Sequence, residues 1–166
     1  MAFRFFLPHL CKPITSNLSM DSSIEKISVY LLQMPPSVLL FSGGFGSSAL
    51  LGVAKKCNAP ITPLWINNGF NRCHESEIFE QAERLGCQSL QMVMMTPSKE
   101  VCANGSDRCL NCQTQIVGTI KRQGIPIIDG VTMDAVKKDA HHAKMVDFDV
   151  KSPLLELEIP ERQVRE

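Results

Sequence analysis

Apolar positions in this chain change period several times between Ser22 and Ile128, and each change marks an element. Ile24, Ile27 and Leu31 recur at helical spacing behind a capping-box pattern, Ser22-Ser23-Ile24-Glu25, which predicts a helix over roughly 22–33 ended by Pro35-Pro36. Ser37-Val38-Leu39-Leu40-Phe41 then reads as a short buried strand, and Leu50, Leu51, Val53 and Ala54 as the apolar face of a helix from Ser47 to Lys56. A second strand follows from Ile61 to Asn67. The next helix, Glu75 to Leu85, places Ile78, Ala82 and Leu85 on one face and stops at Gly86. Ser89 to Met95 predicts a third strand, 96–108 a loop, Cys109 to Gln123 a helix with Gly124 after it, and Ile125 to Ile128 a fourth strand. Strands alternating with helices mean an α/β fold, a parallel sheet with helices on both faces. Ligands of such sheets sit beyond the carboxyl ends of the strands. The stretch 41–48, Asn67, Asn68, the 96–108 loop and the turn from Asp129 to Asp134 therefore belong to one rim.

Length and composition narrow the picture. The 166 residues suit one domain with a real core, and 17 basic against 17 acidic residues leave no bulk charge to drive nucleic-acid binding. No apolar run reaches membrane-spanning length. Seven cysteines without a secretory signal fit a reduced, cytoplasmic setting, where thiols serve as metal ligands, redox groups, sulfur carriers or core residues rather than disulfides. The first 19 residues differ from the rest: Phe3, Phe5, Phe6 and Leu7 are cut short by Pro8 and His9, with no small-residue cleavage site. They read as a disordered leader, or Met20 is the true start, and 20–166 as the domain.

The sharpest chemical signal is Ser42-Gly43-Gly44-Phe45-Gly46-Ser47-Ser48, between the first strand and its helix. Glycines let the backbone approach an anion and adopt positive φ, and the N–H groups opening the helix point at it. A plain tight turn is the bland alternative. Gly44-x-Gly46-x-x-Ala49 also fits the dinucleotide fingerprint, but the next strand ends in Asn67-Asn68-Gly69, without the carboxylate that holds the ribose. The Walker pattern fails for want of Gly-Lys-Ser/Thr. The Ser-Gly-Gly-x-Asp-Ser pyrophosphate loop is matched at Ser42, Gly43, Gly44 and Ser47, with Ser48 continuing it and Gly46 standing where that motif has Asp.

Arg108-Cys109-Leu110-Asn111-Cys112 opens a helix on the same rim. A thiol at a helix start beside an arginine is expected to have a depressed pKa. Cys109 and Cys112, with Cys102 as a third ligand and His74, His141 or His142 as a fourth, could hold zinc or an Fe–S cluster; they could equally carry sulfur or merely pack. Cys57 and Cys87 read as core residues, Cys73 stays open, the His141-His142 pair reads as solvated surface, and Met92, Met94 and Met95 as strand packing. Asp129 and Asp134 could hold Mg²⁺ opposite the glycine loop, the alternative for Asp129-Gly130 being a turn.

Taken in order, Ser42-Gly43-Gly44-x-x-Ser47-Ser48, Asp107-Arg108-Cys109-x-x-Cys112, Asp129-Gly130-x-x-x-Asp134 and Lys151-Ser152-Pro153-Leu154 resemble the PP-loop ATP pyrophosphatases, and within them the LarE-like ATP-dependent sulfur transferases. The resemblance runs from about Ser22 to Glu166. It implies a HUP-type fold with a five-stranded parallel sheet, and ATP with its pyrophosphate at Ser42, Gly43, Gly44, Gly46, Ser47 and Ser48. Asn67 and Asn68 would lie near the nucleotide, Asp134 would assist Mg²⁺, and Cys109 and Cys112 would take part in catalysis. The implied reaction is adenylation of a substrate, a small molecule or tRNA, followed by replacement of AMP by sulfur from a donor or partner subunit; a homo-oligomer is expected. A catalytically degenerate nucleotide-binding or metal-binding module acting with a partner is the alternative. Gly46 and Ala135 depart from the family pattern, each standing where an acidic residue is usual, and the C-terminal region of LarE-like enzymes is missing. Gly46→Asp is expected to raise Mg²⁺-dependent ATP affinity if the pocket is otherwise intact.

Overall fold

The computed structural model describes residues 20–71, 73–121, 124–138 and 148–165. The chain folds as α1 (Met20–Gln33), β1 (Ser37–Leu40), α2 (Phe45–Lys56), β2 (Ile61–Asn67), α3 (Glu75–Arg84), β3 (Gln91–Met94), α4 (Lys99–Cys102), α5 (Arg108–Lys121), β4 (Ile127–Ile128), α6 (Met133–Lys138), β5 (Val150–Lys151), α7 (Pro153–Glu156) and α8 (Glu161–Arg165). The five strands form one parallel sheet in the order β3-β2-β1-β4-β5. This is the α/β architecture expected, a five-stranded parallel sheet with helices. The leader at 1–19 and His141-His142 lie outside the described residues.

The sheet buries both faces, and the alternation along each strand splits its side chains between two cores. Leu39, Phe41, Trp65 and Ile128 pack with Ile27 and Leu31 of α1, Leu50 and Leu51 of α2 and Ile78 of α3. Val38, Leu64, Ile66 and Ile127 pack with Val117 and Ile120 of α5 and with Met95 and Val150. Side chains two residues apart share a face, so Val38 and Leu39 necessarily serve different cores.

Several boundaries differ from the sequence reading. The helix expected over 22–33 already runs at Met20, so Ser22 lies inside it and does not cap it. α2 starts two residues early, with Gly44 at its N-cap position, which shortens the glycine loop and puts Gly46 and Ser47 in the first helical turn. The 96–108 stretch is not all loop: Ser98 caps the single-turn α4, its hydroxyl accepting the Val101 N–H. β4 is shorter than expected; Pro126 has no N–H to give, although its carbonyl accepts the Val38 N–H at 2.9 Å. Of the three methionines assigned to packing, Met95 is buried while Met92 and Met94 are exposed, because β3 is an edge strand of the sheet.

The strand order fixes where a ligand belongs. From β1 the chain moves outward through β2 to β3, then crosses back to place β4 on the other side of β1. The order therefore reverses between β1 and β4, and the crevice beyond the carboxyl ends of such a pair is where open α/β sheets bind ligands.

Candidate functional site

The β1–α2 loop is shaped by a glycine and fixed by hydrogen bonds from Ser47 and from Gln81 of α3. Gly43 has φ +75°, and a Cβ there would come within 2.7 Å of Ile78 Cδ1 and 2.8 Å of Gln81 Oε1. Only glycine takes that conformation in that space without strain. The Gln81 amide donates to the Gly43 carbonyl at 3.0 Å and to Ser48 Oγ at 2.9 Å, which ties α3 to the loop. The buried Ser47 hydroxyl donates to the Gly44 carbonyl at 3.1 Å and accepts the Ser42 N–H at 3.3 Å. Ser42 itself is exposed toward the crevice. α2 is twelve residues long, and its first-turn N–H groups have no carbonyl of their own helix to meet. Together with the helix dipole they make this turn attractive to an anion.

Above the loop lies a cavity of about 340 Å³, within the range of small-ligand pockets. Its apolar wall comes from Leu40, Trp65, Ile66 and Ile116, and its polar wall from Ser42, Ser47, Asn71, Gln113 and Asp129. It sits at the β1/β4 switch point.

Ser42, Gly44, Gly46 and Ser47 line the cavity, while Gly43 and Ser48 support it through Gln81. Asn67 and Asn68 do not line it. Asn67 Oδ1 accepts the Gly69 N–H, and Asn68 is buried against α5. Asn71 lines the cavity instead, held by donation to the Ile66 carbonyl at 2.9 Å and acceptance of the Asn68 N–H at 3.0 Å.

Asp134 also differs from expectation. Its carboxylate accepts the Glu161 N–H at 2.8 Å, closing the start of α8, and it is not on the cavity wall. Asp129 is. It is 6% exposed, and its Oδ1 accepts the Val131 N–H at 3.1 Å. Ala135 lines the cavity where a second acid was looked for. As to Mg²⁺, a hard cation takes carboxylate and hydroxyl oxygens beside nucleotide phosphates, and Asp129 and Ser42 bring oxygens of those kinds to the same cavity.

The cysteines divide. Cys109 and Cys102 are exposed; Cys112 is half-buried and accepts a hydrogen bond from the Asn68 amide at 3.1 Å. Burial, and then the neighbouring Cys109, push the Cys112 thiol up, against the lowering effect of the Asn68 hydrogen bond and of Arg108. The depressed value expected of this helix start is therefore reversed at Cys112. Arg108 lies over the Phe70 ring, 5.6 Å from its centre, a second tie between α5 and the β2–α3 loop. Among the described residues no three His, Cys, Asp or Glu side chains come together as a metal would require, so the expected set of Cys102, Cys109, Cys112 and a histidine is not assembled. The His74 N–H is instead bonded to Glu77 at the start of α3.

Gln81, Asn71 and Gln113 were missed from sequence. Gln81 acts on a residue 38 positions away. Gln113 had one available signal, its place directly after Cys112 in a helix already assigned to the rim.

No family model and no curated protein matches this sequence. Solved structures do resemble it. NMN synthetase from Francisella tularensis superposes with a TM-score of 0.54 at 15% identity, over 90% of this chain and 75% of that one. A predicted subunit of tRNA methyltransferase from Methanocaldococcus jannaschii superposes with a TM-score of 0.52 at 17% identity, over 78% of this chain and 71% of that one. Likeness at this identity establishes a shared fold. No helix among the described residues is long and apolar enough to cross a membrane.

Proposed function

We propose that this chain binds ATP in the switch-point cavity and adenylates an oxygen of a second substrate, releasing pyrophosphate, ahead of sulfur transfer of the LarE or tRNA-thiolation kind. The observation that carries the reading is the coincidence of three features at one point: a glycine-serine loop, the first turn of a twelve-residue helix, and a largely apolar cavity of about 340 Å³. The names of the two similar structures, a synthetase of a nucleotide and a subunit acting on tRNA, agree with nucleotide chemistry.

In this reading the N–H groups in the first turn of α2 and the Ser42 hydroxyl, which accepts the Gly44 N–H at 3.4 Å, hold the β- and γ-phosphates, and Leu40, Trp65 and Ile66 offer an apolar surface to the base. The acceptor oxygen attacks the α-phosphorus, the bond to the β-phosphate breaks, and the loop neutralises the departing pyrophosphate. Mg²⁺ bound with the nucleotide would add positive charge at that leaving group, held by oxygens of the Asp129 wall. A thiolate or persulfide then displaces AMP, and Cys109 is the exposed thiol of the α5 pair.

A second reading, a nucleotide-binding module without turnover, is favoured by Gly46 and Ala135, which stand in place of acidic residues. Calorimetric titration with ATP, together with an assay for released pyrophosphate, tests both. Saturable binding with pyrophosphate release is expected. Binding without release under any acceptor tried would favour the module, and no saturable binding at millimolar ATP would overturn both.

A further inference from the structure

Gly46 stands where the resembling loop has a carboxylate, and the structure shows why no side chain fits there. A Cβ on Gly46 would fall on the Gly130 carbonyl oxygen and come within 2.9 Å of Gly130 C. The relation is mutual: a Cβ on Gly130 would fall on the Ser47 nitrogen and come within 2.8 Å of Ser47 Cα. The loops after β1 and β4 thus meet backbone to backbone, in a contact that only a glycine at each position permits. Backbone atoms cannot rotate away as the end of a flexible side chain can, so this contact excludes an aspartate at 46 rather than merely lacking one.

The same contact does something positive. Gly130 is pressed against the first turn of α2, and its neighbour Asp129 is thereby carried to the cavity wall beside Ser42 and Ser47. Asp129 is the one carboxylate among the described residues lining that cavity, since Asp134 is turned to the Glu161 N–H and position 135 is alanine. We infer that, with Gly46 closed off by its contact with Gly130, the cation-binding carboxylate of this cavity is Asp129 at the end of β4. The ligand class is a divalent cation, Mg²⁺ or Mn²⁺, bound together with a nucleoside triphosphate. One carboxylate beside phosphate oxygens and water is a donor set that Mg²⁺ accepts. The inference rests on the reading that the triphosphate lies on the 42–48 loop.

The test is calorimetric titration of the full chain with ATP, in excess Mg²⁺ and again in EDTA, for the native protein, Asp129→Asn and Gly46→Asp. Native protein is expected to bind ATP in EDTA and about tenfold more tightly with Mg²⁺. Asp129→Asn keeps the oxygen that accepts the Val131 N–H; it is expected to bind ATP in EDTA at least as tightly as the native protein, with one negative charge fewer facing the phosphates, and to lose the Mg²⁺ enhancement. Gly46→Asp is expected to lower the melting temperature and to gain no Mg²⁺-dependent affinity. An undiminished Mg²⁺ effect in Asp129→Asn overturns the inference and leaves the nucleotide reading standing. So does native binding that ignores Mg²⁺, or a folded Gly46→Asp that binds Mg²⁺ and ATP more tightly. Absence of ATP binding in both buffers overturns the nucleotide reading itself, and the inference with it.

Discussion

The three loop glycines are not equivalent. Gly43 needs positive φ and has Ile78 and Gln81 at its would-be Cβ, whereas Gly44 has ordinary extended angles and only Ser42 Oγ at 3.4 Å. Gly43→Ala is therefore expected to cost about 2 kcal/mol or more. Gly44→Ser, which puts a good capping residue at the N-cap of α2, should change stability by less than about 0.5 kcal/mol. Urea unfolding of the two variants checks the contrast. The cysteines differ in the same residue-by-residue way. A thiol whose pKa is raised stays protonated, and hence unreactive, to higher pH; Cys112 should therefore be alkylated by iodoacetamide more slowly than exposed Cys109 and Cys102 near neutrality. Its rate should go on climbing with pH beyond the ordinary thiol range. Peptide mass spectrometry after timed alkylation reads this directly, and equal rates at Cys109 and Cys112 would contradict it.

At the scale of elements, the two aspartates after β4 have separate tasks although five residues apart in one short turn. Asp134 in the first turn of α6 accepts the N–H that opens α8, while Lys138 reaches Glu161 at 3.2 Å across the same junction. The Lys138–Glu161 pair is largely solvent-exposed on the lysine side and is worth little. The carboxylate-to-N–H bond is the stronger tie, so Asp134→Ala should destabilise the chain by about 1 kcal/mol. Its Mg²⁺-dependent ATP affinity should be unchanged, the reverse of Asp129→Asn. Spacing alone could not separate these residues, since both follow the fourth strand within a few positions. What was legible came from local periodicity: the glycine-serine loop, the helices flanking it, β2 and the rim position of α5. The illegible part is long-range. Gln81 reaching Gly43 and Gly130 filling the space beside Gly46 depend on segments that meet only once the sheet is formed. The two-residue β5 and the single-turn α4 and α7 were too short to impose a period.

For the molecule as a whole, the strand order decides the site. Two loops from opposite sides of the reversal, after β1 and after β4, touch through Gly46 and Gly130, and α5 closes the third side with Gln113 and Ile116. The lone tryptophan of the chain, Trp65, is buried and lines the cavity, so ATP should change its emission in a saturable way. The most direct test is a titration of ¹⁵N-labelled protein with ATP followed through backbone amide shifts. The account predicts saturable shifts concentrated at Gly43, Gly44, Gly46 and Ser47, at the Trp65 indole N–H, and at Asp129 to Val131. Shifts confined to the groove lined by Ile27, Gly52, Lys56, Leu85 and Val164, or none at saturating ATP, would contradict it.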